Sequence, residues 1–171
     1  RIRYRVEGNP RISVIIPNRD HREDLERCVN SILDRSTYDN FELVIVENGS
    51  TSPEIKQYYG ELLGYDYEQA LAARGDVSSS EESCDMGVMC AKEAGKAGTK
   101  VRIVTYGGEF NYSRINNLGA AYAAGDYLLL LNNDTQVITF DWMEEMLMYA
   151  QREDVGAVGV KLYYGDRTIQ H

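Results

Sequence analysis

The sequence predicts an α/β fold in which helices flank a mainly parallel central sheet. Short runs of β-branched and aliphatic residues alternate with amphipathic helical patterns along most of the chain. The runs are continuously apolar, which indicates strands that are buried on both faces. Polar turn residues follow these runs, as loops follow the strands of such a sheet. These features together are typical of a doubly wound order of elements.

The first part of the chain predicts two strands and two helices. The apolar run at 12–16 predicts a strand, and apolar residues at three-and-four spacing then predict an amphipathic helix that ends near Leu33. The run at 41–46 predicts a second strand, and a turn rich in Asn, Gly and Ser leads into a short helix at 54–59. This order of strand, helix, strand and helix implies parallel pairing of the two strands.

The second part of the chain continues the alternation. Three further apolar runs predict strands at 101–105, 127–131 and 155–162. Asn111 is a candidate N-cap for a helix with Ile115, Leu118 and Tyr122 on one face, and Gly125 is a candidate glycine for its C-terminal end. Apolar residues on one side of 141–151 predict the last helix.

We expect one domain at 11–171, preceded by a linker at 1–10. A chain of 171 residues is long enough for one buried core and short for two. The stretch 64–100 is rich in Gly, Ser, Glu and Ala with weak periodicity, so we interpret it as an insertion or mobile loop with at most a helix around 86–94.

Composition excludes several classes of function. The net charge of -9 and the lack of a basic run exclude nucleic acid as a partner. The longest apolar run falls far below the ~20 residues of a transmembrane helix. The 3 cysteines form no CxxC pair, so we expect reduced thiols and a cytoplasmic location, with contact to the inner face of a membrane only through the rest of a larger polypeptide.

Polar side chains follow each of the first four predicted strands. Ligands of open parallel sheets bind beyond the carboxyl ends of the strands, so these residues form the candidate site. They are Pro17, Asn18, Arg19 and Asp20 after the first strand, Glu47, Asn48, Gly49 and Ser50 after the second, Tyr106, Gly107 and Gly108 after the third, and Asn132, Asn133 and Asp134 after the fourth.

Asp134 is the candidate metal ligand. A carboxylate at the end of a fully apolar strand suits a hard divalent cation that also coordinates diphosphate oxygens. The alternative is that Asn133, Asp134 and Thr135 form only a polar turn that caps the strand.

Glu47, Arg114 and Asn117 are candidate nucleotide contacts. The Glu47 carboxylate can accept hydrogen bonds from a base N–H or a ribose hydroxyl, or it can simply favour the start of the next helix. Arg114 and Asn117 lie three apart on one helix face and are able to reach a phosphate or ribose. The alternative for this face is ordinary solvation.

Taken in order, these motifs resemble the N-terminal part of family 2 glycosyltransferases with the GT-A fold. The similarity is greatest to bacterial rhamnosyltransferase-like members, which build cell-surface polysaccharides. The residues that carry the resemblance are 12–18, 44–50, 117–120, 124–127 and 128–134.

The resemblance implies an enzyme that binds a nucleoside diphosphate sugar with Mn²⁺ or Mg²⁺ and transfers the sugar, with inversion, to a hydroxyl of a glycan or lipid-linked acceptor. It assigns the metal to Asp134. It assigns the nucleotide sugar to Pro17, Asn18, Arg19, Glu47, Gly49, Ser50, Arg114, Asn117, Asn132 and Asn133.

The chain also departs from the family pattern. The family usually has Asp at the positions of Glu47 and Asn132. Its general base and acceptor-binding region lie well beyond the metal triplet, and no residue here matches that base. We therefore expect a fold truncated at its C-terminus, cut from a larger polypeptide and lacking the base.

Two other functions remain open at this point. A nucleotidyltransferase also binds a nucleotide and metal on a parallel sheet, although its usual glycine-rich loop is missing after the first strand. A non-catalytic nucleotide-binding module is favoured by the neutral pair Asn132 and Asn133. A dinucleotide-dependent oxidoreductase is disfavoured because no GxGxxG motif follows the first strand.

Overall fold

A computed structural model describes residues 3–73, 85–90 and 100–170 of the chain. The strands are β1 Ile12–Asn18, β2 Phe41–Glu47, β3 Asp85–Cys90, β4 Lys100–Tyr106 and β5 Tyr127–Leu130. The helices are α1 Arg22–Arg35, α2 Pro53–Leu63, α3 Tyr67–Ala73, α4 Tyr112–Ala121 and α5 Trp142–Ala150. The predicted alternation of strands and helices is thus present through α5.

The strands form one sheet in the order β3-β4-β2-β1-β5. All neighbours pair in parallel except β3, which is antiparallel to β4. In the central pair, Ile12 lies beside Phe41 and Asn18 beside Glu47, so β1 and β2 end at the same level. The predicted α/β fold with a mainly parallel sheet is confirmed, and its carboxyl ends meet at one edge.

Helices cover both faces of the sheet. Side chains of α1, α2 and α5 share one apolar core with Val14 and Ile45, and part of α3 packs against it. On the other face, Ile115 of α4 packs in a smaller core with Ile15 and Val46. The central strands β1 and β2 are buried on both faces, which explains their continuously apolar sequences.

The cap predicted for α4 is present, because Asn111 Oδ1 accepts a hydrogen bond from the Arg114 backbone N–H at 3.0 Å. The end predicted from Gly125 is wrong, since α4 ends at Ala121. Gly125 instead lies where the chain crosses β1, and a Cβ there would be 2.7 Å from the backbone nitrogen of Ser13. Glycine is required at position 125 by this close approach to β1 rather than by a helix cap.

Two other expectations fail in the second part of the chain. Residues 86–90 belong to a strand rather than a helix, because they pair with β4. The predicted strand at 155–162 is wrong: these residues have no regular structure and are mostly exposed. Gly156 and Gly159 weaken strand formation there, and no strand of the described ranges pairs with the segment.

The segment 64–100 contains α3 and β3, and its residues 74–84 and 91–99 lie outside the described part of the chain. The expected linker contacts α5 at Arg3, whose Nη2 lies 2.6 Å from Glu145 Oε1. Just beyond the helix, the Glu7 backbone N–H donates to Gln151 Oε1 at 3.0 Å. Cys28 is a free, buried thiol, whereas Cys84 lies outside the described residues. Every helix of the described ranges is too short or too polar to cross a membrane.

Candidate functional site

The polar loops predicted to form a site do converge at the carboxyl edge of the sheet. The Asn48 backbone N–H donates to the Asn18 carbonyl oxygen at 2.9 Å, which joins the ends of β1 and β2. The Leu131 backbone N–H donates to the Ile15 carbonyl oxygen at 2.9 Å, which brings the following loop beside β1. Three of the four predicted loops are therefore fixed to one another by the sheet itself.

Glu47 ends β2 and is almost completely buried, with 4% of its surface exposed. Its Oε2 accepts hydrogen bonds from Tyr59 OH at 2.5 Å and from Ser50 Oγ at 2.6 Å, and its Oε1 accepts from the Ser50 backbone N–H. Gly49 between them has a left-handed φ of 71°. The carboxylate thus holds the tight turn in shape from within the protein, and this turn leaves Gly49 exposed.

Asn18 connects this turn to the loop after β5. Its Nδ2 donates to Tyr59 OH at 2.8 Å, and its Oδ1 accepts from Asn133 Nδ2 at 2.6 Å. Asn18 is 3% exposed, whereas Asn133 is half-buried. A continuous line of side-chain hydrogen bonds therefore runs from Glu47 to the residue beside Asp134.

Asp20 makes a second connection between the loops after β1 and β2. Its carboxylate accepts hydrogen bonds from the backbone N–H groups of Thr51 and Ser52, both at 2.8 Å. Its own backbone N–H donates to Ser50 Oγ at 2.8 Å. These backbone donors, Ser52 first, hold the pKa of Asp20 below its usual value.

The loop after β5 is attached to α1. Cys28 Sγ lies 3.7 Å from the Asn132 carbonyl oxygen and 3.8 Å from Thr135 Oγ1. Ser31 Oγ accepts from the Val137 backbone N–H at 3.0 Å. Burial raises the pKa of the Cys28 thiol to about 11, so it remains protonated and acts as a weak donor. Residues of α1 therefore hold this loop against the sheet.

Asp134 itself is exposed in this loop, as is Asn132. Across the described residues, no three His, Cys, Asp or Glu side chains are grouped so that they could hold a metal ion. Asp134 provides an exposed carboxylate at this point, and oxygens of the bound molecule and of water can complete the coordination of a divalent cation.

Arg19, Arg114 and Asn117 are exposed. Arg114 and Asn117 lie on α4, which follows the carboxyl end of β4 and packs on the opposite face from α2. They are thus separate from the hydrogen-bonded line of Glu47, Tyr59, and Asn18. Pro17 is half-buried at the end of β1.

One residue of the edge, Tyr59, was not predicted from the sequence, and another, Asn48, was placed at the edge without an assigned role. Tyr59 resembles any apolar position of α2 because its polar partners come from other elements. Asn48 donates from Nδ2 to the Gly108 carbonyl oxygen at 3.1 Å, which ties the loop after β4 to the others. Its position between Glu47 and Gly49 placed it at the edge, but the sequence did not predict this contact.

Comparison with known proteins is consistent with this geometry. The family model described as Glycosyl transferase family 2 matches residues 13–68 and 86–170. The uncharacterized protein y4gI of Sinorhizobium fredii is 37% identical over 166 residues, which cover 97% of this chain and 15% of that protein. The O-antigen biosynthesis protein RfbC of Myxococcus xanthus is 33% identical over 171 residues, which cover 100% of this chain and 11% of that protein. The chain therefore spans only a small part of the length of these relatives.

Solved structures show the same fold at low sequence identity. The mannosyltransferase PcManGT from Pyrobaculum calidifontis, in complex with GDP-Man and Mn²⁺, has a TM-score of 0.60 at 15% identity, over 90% of this chain and 36% of that one. The S. aureus protein TarS, residues 1–349, has a TM-score of 0.53 at 13% identity, over 82% of this chain and 32% of that one. The family match and the similarity to the O-antigen biosynthesis protein confirm the resemblance to family 2 glycosyltransferases that the motifs indicated, and the chain belongs to glycosyl transferase family 2.

Proposed function

We propose that this domain binds a nucleoside diphosphate sugar together with Mn²⁺ or Mg²⁺ and takes part in transfer of the sugar to an acceptor hydroxyl of a glycan. The observation that carries the proposal is the joining of the loops after β1, β2 and β5 at one edge of the sheet, with the exposed carboxylate of Asp134 beside Asn133. This edge is where open parallel sheets bind ligands.

The donor set fits a metal that arrives with the diphosphate. Mg²⁺-like ions are commonly held by one or two carboxylates, with phosphate oxygens and water completing the shell. Asp134 supplies such a carboxylate and is exposed. A cation also offsets the repulsion between a diphosphate and a chain of net charge -9. The complex of PcManGT with GDP-Man and Mn²⁺ supports this assignment.

The nucleotide occupies the remaining part of the edge in this proposal. The turn at Gly49 and Ser50 and the end of β1 at Pro17, Asn18 and Arg19 receive the base and ribose, with Glu47 holding the turn. Arg114 and Asn117 approach the phosphates or ribose from α4. Asn132 and Asn133 contact the donor next to the metal.

The reaction we propose is a single in-line displacement. A carboxylate base removes the proton of the acceptor hydroxyl, the oxygen attacks the anomeric carbon, and the bond to the diphosphate breaks on the opposite side, which inverts the anomeric centre. A bound divalent cation supplies charge neutralisation for the departing diphosphate. We assign the leaving-group side to this chain and the base to none of its residues.

The acceptor class is proposed from the relatives. RfbC is named as an O-antigen biosynthesis protein, which favours a polysaccharide or lipid-linked glycan as acceptor. The small share of each relative that the chain covers favours a domain of a larger polypeptide. We further propose that this polypeptide is cytoplasmic and that its other parts bring the domain to the inner face of the membrane.

Calorimetric titration tests the donor site. The protein is titrated with UDP, dTDP and GDP, each with and without Mn²⁺, and compared with Asp134→Ala. We expect one nucleotide to bind with Mn²⁺ and this binding to weaken at least about tenfold in Asp134→Ala, because removing the ligand removes the metal bridge. Asp39→Ala is the matched control, since Asp39 is exposed two residues before β2 at the opposite edge.

The outcomes separate the alternatives. Metal-independent binding that Asp134→Ala leaves unchanged would indicate a nucleotide-binding module without transferase chemistry. Absence of binding by all three nucleotides would contradict the donor-site assignment as a whole. Equal losses in Asp134→Ala and Asp39→Ala would mean that the effect is general rather than local.

A further inference from the structure

Four side chains from four different segments form one line of hydrogen bonds at the carboxyl edge. Tyr59 OH lies 2.5 Å from Glu47 Oε2 and 2.8 Å from Asn18 Nδ2, and Asn18 Oδ1 lies 2.6 Å from Asn133 Nδ2. Glu47 lies on the turn assigned to the nucleotide, and Asn133 is adjacent to Asp134. The line therefore joins the two halves of the proposed donor site.

The direction of each hydrogen bond follows from the chemistry of Glu47. Its carboxylate also accepts from the Ser50 backbone N–H, so it acts as an acceptor and the Tyr59 hydroxyl donates to it. Because the Tyr59 hydroxyl donates its proton to Glu47, its oxygen accepts the hydrogen bond from Asn18 Nδ2. Asn18 must then present Oδ1 to Asn133, which donates from Nδ2.

This direction determines which atom Asn133 offers to a ligand. Its Nδ2 is turned inward to Asn18, so Oδ1 is the side-chain atom that remains to accept a hydrogen bond or to coordinate a cation. An amide turned the other way would present a donor beside Asp134, and a donor repels a cation. The orientation of one amide thus matters for metal binding.

Tyr59 is suited to hold this orientation permanently. Its side chain is fully buried, and burial, followed by the charge of Glu47, raises its pKa well above the usual value, so the phenol keeps its proton. Its ring packs 5.1 Å from the ring of Tyr67, which limits its movement.

We propose that Tyr59 is a positioning residue that couples nucleotide binding at the Glu47 turn to metal binding at the loop of Asn133 and Asp134. The proposal rests on the proposed function and goes beyond it. Metal then increases the affinity for nucleotide, nucleotide increases the affinity for metal by the same factor, and the factor depends on the Tyr59 hydroxyl.

The test compares Tyr59→Phe with Tyr58→Phe. Both changes remove the hydroxyl of a buried tyrosine on α2, but Tyr58 OH is buried without a partner in the described part of the chain. UDP, dTDP and GDP are titrated into the wild type, and for the nucleotide that binds most tightly the dissociation constant is measured with and without Mn²⁺. The ratio of the two values is the coupling factor.

We expect Tyr59→Phe to reduce the coupling factor by about fivefold or more, at the lower end of known couplings between sites. Tyr58→Phe should leave it at the wild-type value. A purely structural loss would instead raise both dissociation constants by the same factor and leave their ratio unchanged.

A double substitution shows whether Tyr59 and Asn133 act on the coupling factor through the same line of hydrogen bonds or independently of each other. Once Asn133→Ala has cut the outer end of the line, adding Tyr59→Phe should change the coupling factor no further. If Tyr59→Phe does not fold, Asn133→Ala takes its place, and a wild-type coupling factor in that variant overturns the proposal. Wild-type coupling in folded Tyr59→Phe also overturns it, whereas metal-independent binding in the wild type would refute the proposed function itself and the coupling with it.

Discussion

Asp20 shows how one side chain fixes the geometry between the loops after β1 and β2. Its backbone has a φ of 57°, a left-handed conformation that non-glycine residues seldom adopt. The bonds from Thr51 and Ser52 to its carboxylate compensate for this conformation and lower its pKa. Because the folded pKa lies below the unfolded pKa, the ion contributes stability above the unfolded value, and this contribution is lost as the pH falls through the folded value.

Asp20→Asn isolates the charge, since Asn also tolerates the left-handed conformation. We expect the free energy of unfolding at pH 7 to fall by roughly 0.5–1 kcal/mol, a modest value because solvent screens this partly exposed group. The difference from wild type should shrink as the pH falls below about 3.9, the usual pKa of Asp. Urea unfolding between pH 7 and pH 3 measures both, with the exposed Asp39→Asn as control. Equal stability of the two variants at pH 7 would contradict the role of Asp20.

At the scale of elements, α4 lies unusually close to the sheet because of Gly119. A Cβ at this position would lie 2.5 Å from Ile15 Cγ2 and 2.9 Å from Val46 Cγ2. Both neighbours are β-branched and fully buried, so they have little freedom to move away. The position of α4, and with it that of Arg114 and Asn117, depends on this contact.

Gly119→Ala should destabilise the protein by roughly 1–3 kcal/mol through overpacking. The sign of the stability change is informative, because at an exposed helix position the same substitution of glycine by alanine would stabilise the protein by about 1 kcal/mol. Gly156→Ala is the control, since a Cβ there meets nothing within 4 Å. Thermal and urea unfolding of the three proteins measure the effect, and a stabilised Gly119→Ala would show that α4 can move outward at little cost.

Elements defined by local pattern could be predicted from the sequence. The apolar runs of β1 and β2, the amphipathic face of α1 and the cap at Asn111 all depend on nearby residues. β3 could not be predicted from its own sequence, because it forms a strand by pairing with β4, which begins ten positions later in the chain. The segment at 155–162 shows the reverse failure, since an apolar run forms no strand without a neighbour to share its backbone hydrogen bonds.

The candidate site likewise has parts that could be predicted from the sequence and parts that could not. The position of a loop after a parallel strand follows from the order of elements, so the convergence of Asn18, Glu47 and Asn133 could be expected. The partner of Glu47 could not, because Tyr59 lies on the apolar face of α2 and only the fold brings it there. Sequence patterns locate the loops, whereas the hydrogen bonds between them depend on tertiary packing.

At the scale of the whole molecule, β2 carries a buried glutamate near each end. Glu47 lies at the carboxyl edge within the candidate site. Glu42 lies at the amino edge and is fully buried, where its Oε1 accepts from Ser13 Oγ at 2.8 Å and from the Ala124 backbone N–H at 2.6 Å. Its Oε2 accepts from Arg102 Nε at 3.2 Å. The buried carboxylate of Glu47 thus holds the turn after β2 in the proposed donor site, and that of Glu42 joins β1, β2, β4 and the turn before β5.

Glu42→Gln should therefore reduce stability without changing ligand affinity in the folded protein. If the Gln oxygen keeps the bonds from Ser13 and Ala124, its NH₂ group faces the guanidinium of Arg102, and two donors then oppose each other in a buried site. We expect a loss of roughly 1–3 kcal/mol in urea unfolding. Glu68→Gln is the control, since Glu68 pairs with Lys56 at 3.0 Å but is 67% exposed, and such pairs contribute little. At a temperature where the wild type and both variants are folded, calorimetry should give the same nucleotide dissociation constant for all three. A change of that constant in Glu42→Gln alone would show that the amino edge also affects the site.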